Sequence, residues 1–122
     1  MKVAELIGAL LDYWVARAED YPLSCDWDQG DYILIGTGAG DLEQFAPSTD
    51  WSDGGPIIER ARIDLKAPPN MDAPDEHVDW AASVPDPNVA YTREYFGETP
   101  LIAAMRAYVA SKFGDDVAPK NI

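Results

Sequence analysis

The apolar residues near the C-terminus recur at helical spacing and predict a helix over residues 99–113 with one apolar face. The Thr99 hydroxyl can accept a hydrogen bond from the first turn, and Pro100 suits the first helical position. Lys112 places a cation in the last turn, and Gly114 provides the stop. The apolar face consists of Leu101, Ile102, Met105, Tyr108, Val109 and Phe113.

A second pattern of the same period covers residues 3–20 and predicts the first helix. Gly8 weakens a helix by about 1 kcal/mol relative to alanine, so the alternative is a helix that starts after Gly8 and follows an extended segment. The helix ends at Tyr21, because a residue before proline avoids helical angles. The apolar positions are Val3, Leu6, Ile7, Leu10, Leu11, Trp14, Val15 and Ala18.

Short apolar runs between these helices are typical of strands. We expect a strand at 32–35, a return strand at 42–45 and a further strand at 57–63. Residues 80–84 and 89–93 flank a proline-containing turn and predict a hairpin.

The segments 47–56 and 66–77 are rich in turn residues, prolines and acids and are expected to be loops. The predicted fold is therefore α+β: a small, mostly antiparallel β-sheet with the N- and C-terminal helices packed on one face. A length of 122 residues corresponds to a single domain over 1–122.

The chain carries 22 acidic and 9 basic residues, a formal net charge of −13. This charge opposes direct binding to nucleic acid or to an anionic membrane surface. The acids are spread along the whole chain, which favours a solubility role over recognition of a basic partner. Cys25 is the only cysteine, and no run approaches the ~20 apolar residues of a membrane span, so a cytoplasmic location is expected.

The best candidate for a binding site is the loop at 47–56. Two glycines there expose backbone N–H groups, and Trp51 offers an aromatic face. A loop of turns and helix caps, with Trp51 closing the edge of the core, is the favoured interpretation over a ligand site. The candidate ligand or partner residues are Ser48, Thr49, Asp50, Trp51, Asp53 and Arg60.

Other candidate chemistry is weak, so we predict no catalytic residue, metal ion or cofactor. The glycines at 36, 38 and 40 resemble a dinucleotide-binding turn, but the third comes one position early and acids follow. His77 is the only histidine and lies in an acidic, proline-rich segment. The nearby acids at 72, 75, 76 and 79 do not match a calcium loop.

Segments 45–60 and 97–116 together resemble the NinX-like phage proteins. Residues 5–16 are similar to the opening of that family, and 80–82 to its central Trp-x-Ala element. The acidic insert at 66–77 and the large side chain at position 14 depart from the family pattern. The resemblance implies a phage- or prophage-derived protein of the bacterial cytoplasm and implies no reaction.

Three hypotheses follow. The first is a non-enzymatic accessory or interaction module with an unknown protein partner. The second is an acidic mimic of DNA that occupies a nucleic-acid-binding protein. The third is a small-molecule binder or enzyme that uses the 47–56 loop, with Asp50 or Asp53 as acid–base group and Arg60 as an anion clamp. The sequence does not indicate an oligomeric state.

Overall fold

The α+β class predicted from the sequence is confirmed in a computed structural model, which describes residues 1–21, 32–36, 42–68, 79–86, 88 and 93–117. Three α-helices and five short strands lie in this part of the chain. In chain order they are α1 (Gly8–Ala18), β1 (Ile33–Gly36), β2 (Leu42–Phe45), α2 (Trp51–Ala61), β3 (Asp64–Lys66), β4 (Trp80–Ser83), β5 (Tyr95–Gly97) and α3 (Pro100–Phe113).

The described strands form two antiparallel sheets. β1 and β2 form a two-stranded sheet in which Ile33 faces Phe45. The other sheet has the order β3–β4–β5, and Ala82 of its central strand pairs with Leu65 on one side and Tyr95 on the other. Antiparallel pairing with terminal helices agrees with the prediction.

Helix α3 is the centre of the core, as its sequence pattern predicts. The Thr99 hydroxyl accepts from the Ile102 N–H at 3.1 Å, and Gly114 ends the helix at φ 88°. Met105 and Val109 are completely buried. The helix packs on β4 and β5 with one part of its surface and on α1 with another. It is therefore the element against which the rest of the molecule is arranged.

The first helix starts later than the predicted residue 3. Val3–Glu5 form a short 3-10 turn, Ile7 is extended, and α1 begins at Gly8. Gly8 has φ +64°, a left-handed conformation that glycine adopts without steric cost and that reorients the chain before the helix. The alternative of a helix start at Gly8 is therefore the better account.

The strand predicted at 57–63 is wrong, because these residues continue helix α2 as far as Ala61. The Asp50 side chain accepts from the Ser52 N–H at 2.9 Å and caps the helix, and Ile57 turns its side chain into the core. Pro56 sits in the second turn, where it removes one backbone hydrogen bond without ending the helix. The loop predicted at 47–56 is therefore correct only for the turn and cap at 47–50, because residues 51–56 form the first half of α2.

The predicted strand at 80–84 is present as β4, which pairs with β3 on one side and with β5 on the other. Residues 89–92 lie outside the described part of the chain. A Cβ on Gly97 would lie 2.6 Å from the Ala103 nitrogen, so glycine allows β5 to approach α3 closely. This tertiary contact favours pairing at 95–97.

Arg106 of α3 joins the N-terminal segment to β5. Its Nε donates to the Leu6 carbonyl at 2.8 Å and its Nη1 to the Phe96 carbonyl at 2.6 Å. Burial lowers the pKa of this guanidinium, while Asp79 and Glu98 partly offset that effect. The side chain therefore covers the free edge of β5.

Candidate functional site

Five of the six predicted site residues lie at the start of α2 or in the turn before it, and Arg60 lies in the last turn of the helix. The Thr49 and Asp50 N–H groups both donate to the Ala46 carbonyl, at 3.1 and 2.8 Å. Trp51 is 53% exposed, so the expectation that it closes the edge of the core is wrong. Its position in the first turn of α2 directs the indole to solvent, and the Asp50 carboxylate is used as the helix cap.

Ser48 is buried against a carboxyl group of α1. Its N–H donates to Asp12 Oδ1 at 2.8 Å, and the two residues are 2% and 3% exposed. The pKa of Asp12 is raised to about 6, chiefly by burial and to a smaller extent by the charge of Asp53. Contacts with the Ser48 side chain and backbone oppose this rise. The Ser48 hydroxyl lies near the carboxyl but makes no regular hydrogen bond. Ser48 therefore joins α2 to α1 instead of facing a ligand.

A cleft of about 230 Å³ lies between the end of α1, the β1–β2 sheet and α2. Of the six predicted site residues, only Asp53 and Arg60 line it; Ser48, Thr49, Asp50 and Trp51 do not. Its lining consists of Glu19, Tyr21, Ile35, Glu43, Gln44, Phe45, Ser52, Asp53, Pro56, Ile57 and Arg60.

One wall of the cleft is a polar cluster that links α1, α2 and α3. Arg60 Nη2 contacts both Glu19 carboxylate oxygens at 2.6 Å, and the Tyr108 hydroxyl donates to the same carboxylate. The Glu19 side chain is only 7% exposed. Burial, followed by the hydrogen bond to Glu19, raises the pKa of Tyr108 to about 12. Arg60 is thus neutralised by its own chain and is not a free anion clamp.

The lining of the cleft includes two further carboxylates. Asp53 Oδ2 accepts from the Ala46 N–H at 2.9 Å, and its other oxygen makes no hydrogen bond within the described residues. Glu43 is exposed on β2 and makes no hydrogen bond or ion pair within the described residues. The lining also includes the apolar side chains of Ile35, Phe45 and Ile57. The cleft therefore combines apolar walls with a surplus of negative charge.

Glu19, Glu43 and Asp12 were missed in the sequence because each belongs to a segment distant from α2 along the chain. Asp12 had a usable signal: it stands three and four positions before Val15 and Ala16, on the face of α1 that is buried. No comparable pattern marks Glu19 or Glu43, which are brought to the cleft by tertiary folding.

Several weaker candidates fall outside the described residues, among them His77, Cys25, Gly38 and Gly40. Within the described ranges, no group of three or more His, Cys, Asp or Glu side chains is close enough to hold a metal ion. In that same part of the chain, no helix is long and apolar enough to cross a membrane.

The model of the family described as "Bacteriophage P22, NinX" matches residues 2–112. The chain belongs to the NinX family. The match includes the whole lining of the cleft, from Glu19 to Arg60, and nearly all of α3. No curated protein matches this NinX family member. The family assignment establishes a phage-type protein and assigns no activity to the cleft.

Proposed function

We propose that this NinX family member is a non-enzymatic accessory protein that binds a protein partner through the cleft. The observation that carries the proposal is that three charged groups of the cleft, those of Glu19, Asp53 and Arg60, are already used in contacts that hold the fold together. Glu19 is committed to Arg60 and Tyr108, and Asp53 to the Ala46 backbone. Side chains held in this way can shape a binding surface, but they are poorly placed to exchange protons with a substrate.

The size of the cleft supports the same proposal. Its volume of about 230 Å³ is below the ~300–1,000 Å³ of typical small-molecule sites. A cleft of this size accepts one side chain of a docking protein. A phage-derived chain with a single cysteine also suits the reducing cytoplasm of a bacterial host, where we place this interaction.

The arrangement of charges favours a local cleft over mimicry of DNA. A DNA mimic needs rows of uninterrupted carboxylates, whereas cations lie among the acids of the described surface. Ion pairs join Arg60 to Glu19, Lys66 to Glu94 and Arg93 to Asp115.

Site-specific photocrosslinking in infected or lysogenic bacteria tests the proposal. A photoreactive residue replaces Ser52, which lines the cleft, or Glu59, which lies on α2 outside it. We expect a discrete protein adduct from position 52 that is absent from position 59. The adduct should weaken when Glu43→Arg reverses a charge in the cleft, and it should persist when Asp64→Arg reverses an exposed charge elsewhere. Equal labelling from both positions contradicts the proposal.

A further inference from the structure

We infer that the cleft receives one basic side chain of the partner, an arginine in preference to a lysine. The inference rests on the proposed function and adds the chemistry of the contact. In this arrangement the methylene stem lies along the apolar walls and the cationic head lies between Glu43 and Asp53.

The balance of charge in the cleft selects a cation. The Arg60 and Glu19 charges cancel in a pair at 2.6 Å, and within the described residues the carboxylates of Glu43 and Asp53 have no cationic partner. An anionic ligand would face both carboxylates and would have to compete with Glu19 for Arg60. The net charge of −13 also attracts a basic partner at long range.

The walls select a cation with an apolar stem. The cleft is lined by four apolar residues, Ile35, Phe45, Pro56 and Ile57, together with its charged groups. Arginine and lysine side chains bury their methylene groups along such surfaces while the charged end stays at the opening. A small inorganic cation would leave these apolar walls without a contact.

An exposed aromatic ring favours arginine over lysine. Tyr21 lines the cleft, is 38% exposed and is held edge-to-face on the buried Phe45 ring, with ring centres 5.2 Å apart. A planar guanidinium stacks on aromatic faces and can bond a carboxylate through two nitrogens, whereas an ammonium acts as a point charge.

An NMR titration of the intact chain with N-acetyl-arginine amide tests the inference. The matched ligand is N-acetyl-citrulline amide, which has nearly the same shape without the charge. We expect the arginine compound to shift the backbone amides of 43–45, 52–55 and 57 saturably, with millimolar affinity. The Glu43→Gln variant should weaken binding about fivefold, as expected for one exposed ion pair, and the citrulline compound should bind more weakly still because it loses the contacts to both carboxylates. The charge-matched variant Glu59→Gln should bind as the wild type does.

Equal binding of both compounds, or no saturable shift in the cleft, overturns the inference. A second and independent readout is the partner segment crosslinked to position 52: a segment without arginine or lysine overturns the inference while the proposed function stands. If the chain binds the arginine compound selectively but no partner is crosslinked, the inference about a basic side chain is supported and the proposed function is contradicted.

Discussion

Replacement of Asp12 by asparagine is expected to stabilise the protein at neutral pH, although it removes a buried hydrogen-bonded acid. The side-chain oxygen of the new asparagine can still accept from the Ser48 N–H, which now donates to Asp12 at 2.8 Å. Its amide group can in addition donate to the buried Ser48 hydroxyl, which makes no regular hydrogen bond. The substitution thus keeps the shape and removes the charge.

The magnitude follows from the pKa of the carboxyl. Burial raises it to about 6, whereas an unfolded aspartate titrates near 3.9, so the folded state binds this proton more tightly. The contribution of Asp12 to the free energy of unfolding is therefore fully present below about pH 4 and is lost as the pH rises to about 6. Each unit of pKa difference corresponds to 1.36 kcal/mol, so above about pH 6 the ionisation of Asp12 lowers the free energy of unfolding by about 3 kcal/mol. Asp12→Asn should recover up to this amount.

Urea denaturation followed by tryptophan fluorescence between about pH 4 and pH 8 measures the effect. We expect the stability difference between Asp12→Asn and wild type to grow from pH 4 to pH 6 and then to stay constant. Asp12→Ala is the control, because it leaves the buried Ser48 N–H unpaired at a cost of about 1–3 kcal/mol. If Asp12→Asn lowers the stability at neutral pH by as much as Asp12→Ala does, the ionised Asp12 carboxylate does not destabilise the folded protein and the reasoning is refuted.

Three further predictions concern stability and use the same assay. Gly54→Ala should lower the free energy of unfolding by about 1–3 kcal/mol, because the new Cβ would lie 2.5 Å from the Pro47 carbonyl oxygen. At Gly55 a Cβ has room, so Gly55→Ala should raise the free energy of unfolding by up to about 1 kcal/mol through helix propensity. If Gly55→Ala is the less stable variant, the close contact at Gly54 is refuted. Glu19→Gln should cost about 1–3 kcal/mol by weakening its contacts to a guanidinium and a phenol, and no loss would mean that the cluster is not formed in solution. Arg106→Lys should lower the free energy of unfolding by about 1–2 kcal/mol, since one ammonium cannot replace two guanidinium nitrogens that donate to separate carbonyls. If this variant is as stable as the wild type, the two hydrogen bonds of Arg106 do not stabilise the fold.

The C-terminal helix could be predicted closely from the sequence because all its local signals agree. Thr99 caps it, Pro100 occupies its first position, Gly114 ends it, and its apolar residues keep one period between these limits. Where local preference and tertiary packing favour the same structure, a pattern of residues is sufficient.

Helix α2 could not be predicted because its local signals conflict. Gly54, Gly55 and Pro56 are typical of a loop, and propensity alone favours that interpretation. The fold overrides the propensity: the absence of a side chain at Gly54 lets α2 approach the Pro47 carbonyl and Leu101 of α3. Asp50, with Asp53 three positions later, resembles a helix-start pattern and was the available signal.

The candidate site was predicted only in the part that α2 itself contributes. Asp53 and Arg60 do line the cleft, but their chemical meaning depends on Glu19 and Glu43, which come from α1 and β2. Without Glu19, Arg60 would be free to bind an anion; with it, the same residue is paired within the chain and the surplus negative charge of the cleft becomes larger. The ligand class therefore depends on contacts that no local pattern records.

The two carboxyl groups buried on α1 show how the cleft is held open. Asp12 contacts the turn before α2, and Glu19 contacts the last turn of α2, so polar side chains fix both ends of that helix. Apolar packing would have placed α2 against α1 more tightly, because apolar contact is favourable over the whole shared surface. Directional contacts at the two ends instead hold α2 at a fixed position and leave the space between α2 and β2 accessible. On this reasoning the buried carboxyl of Asp12, which does not itself line the cleft, fixes the start of the helix that carries Asp53 and Arg60 into it.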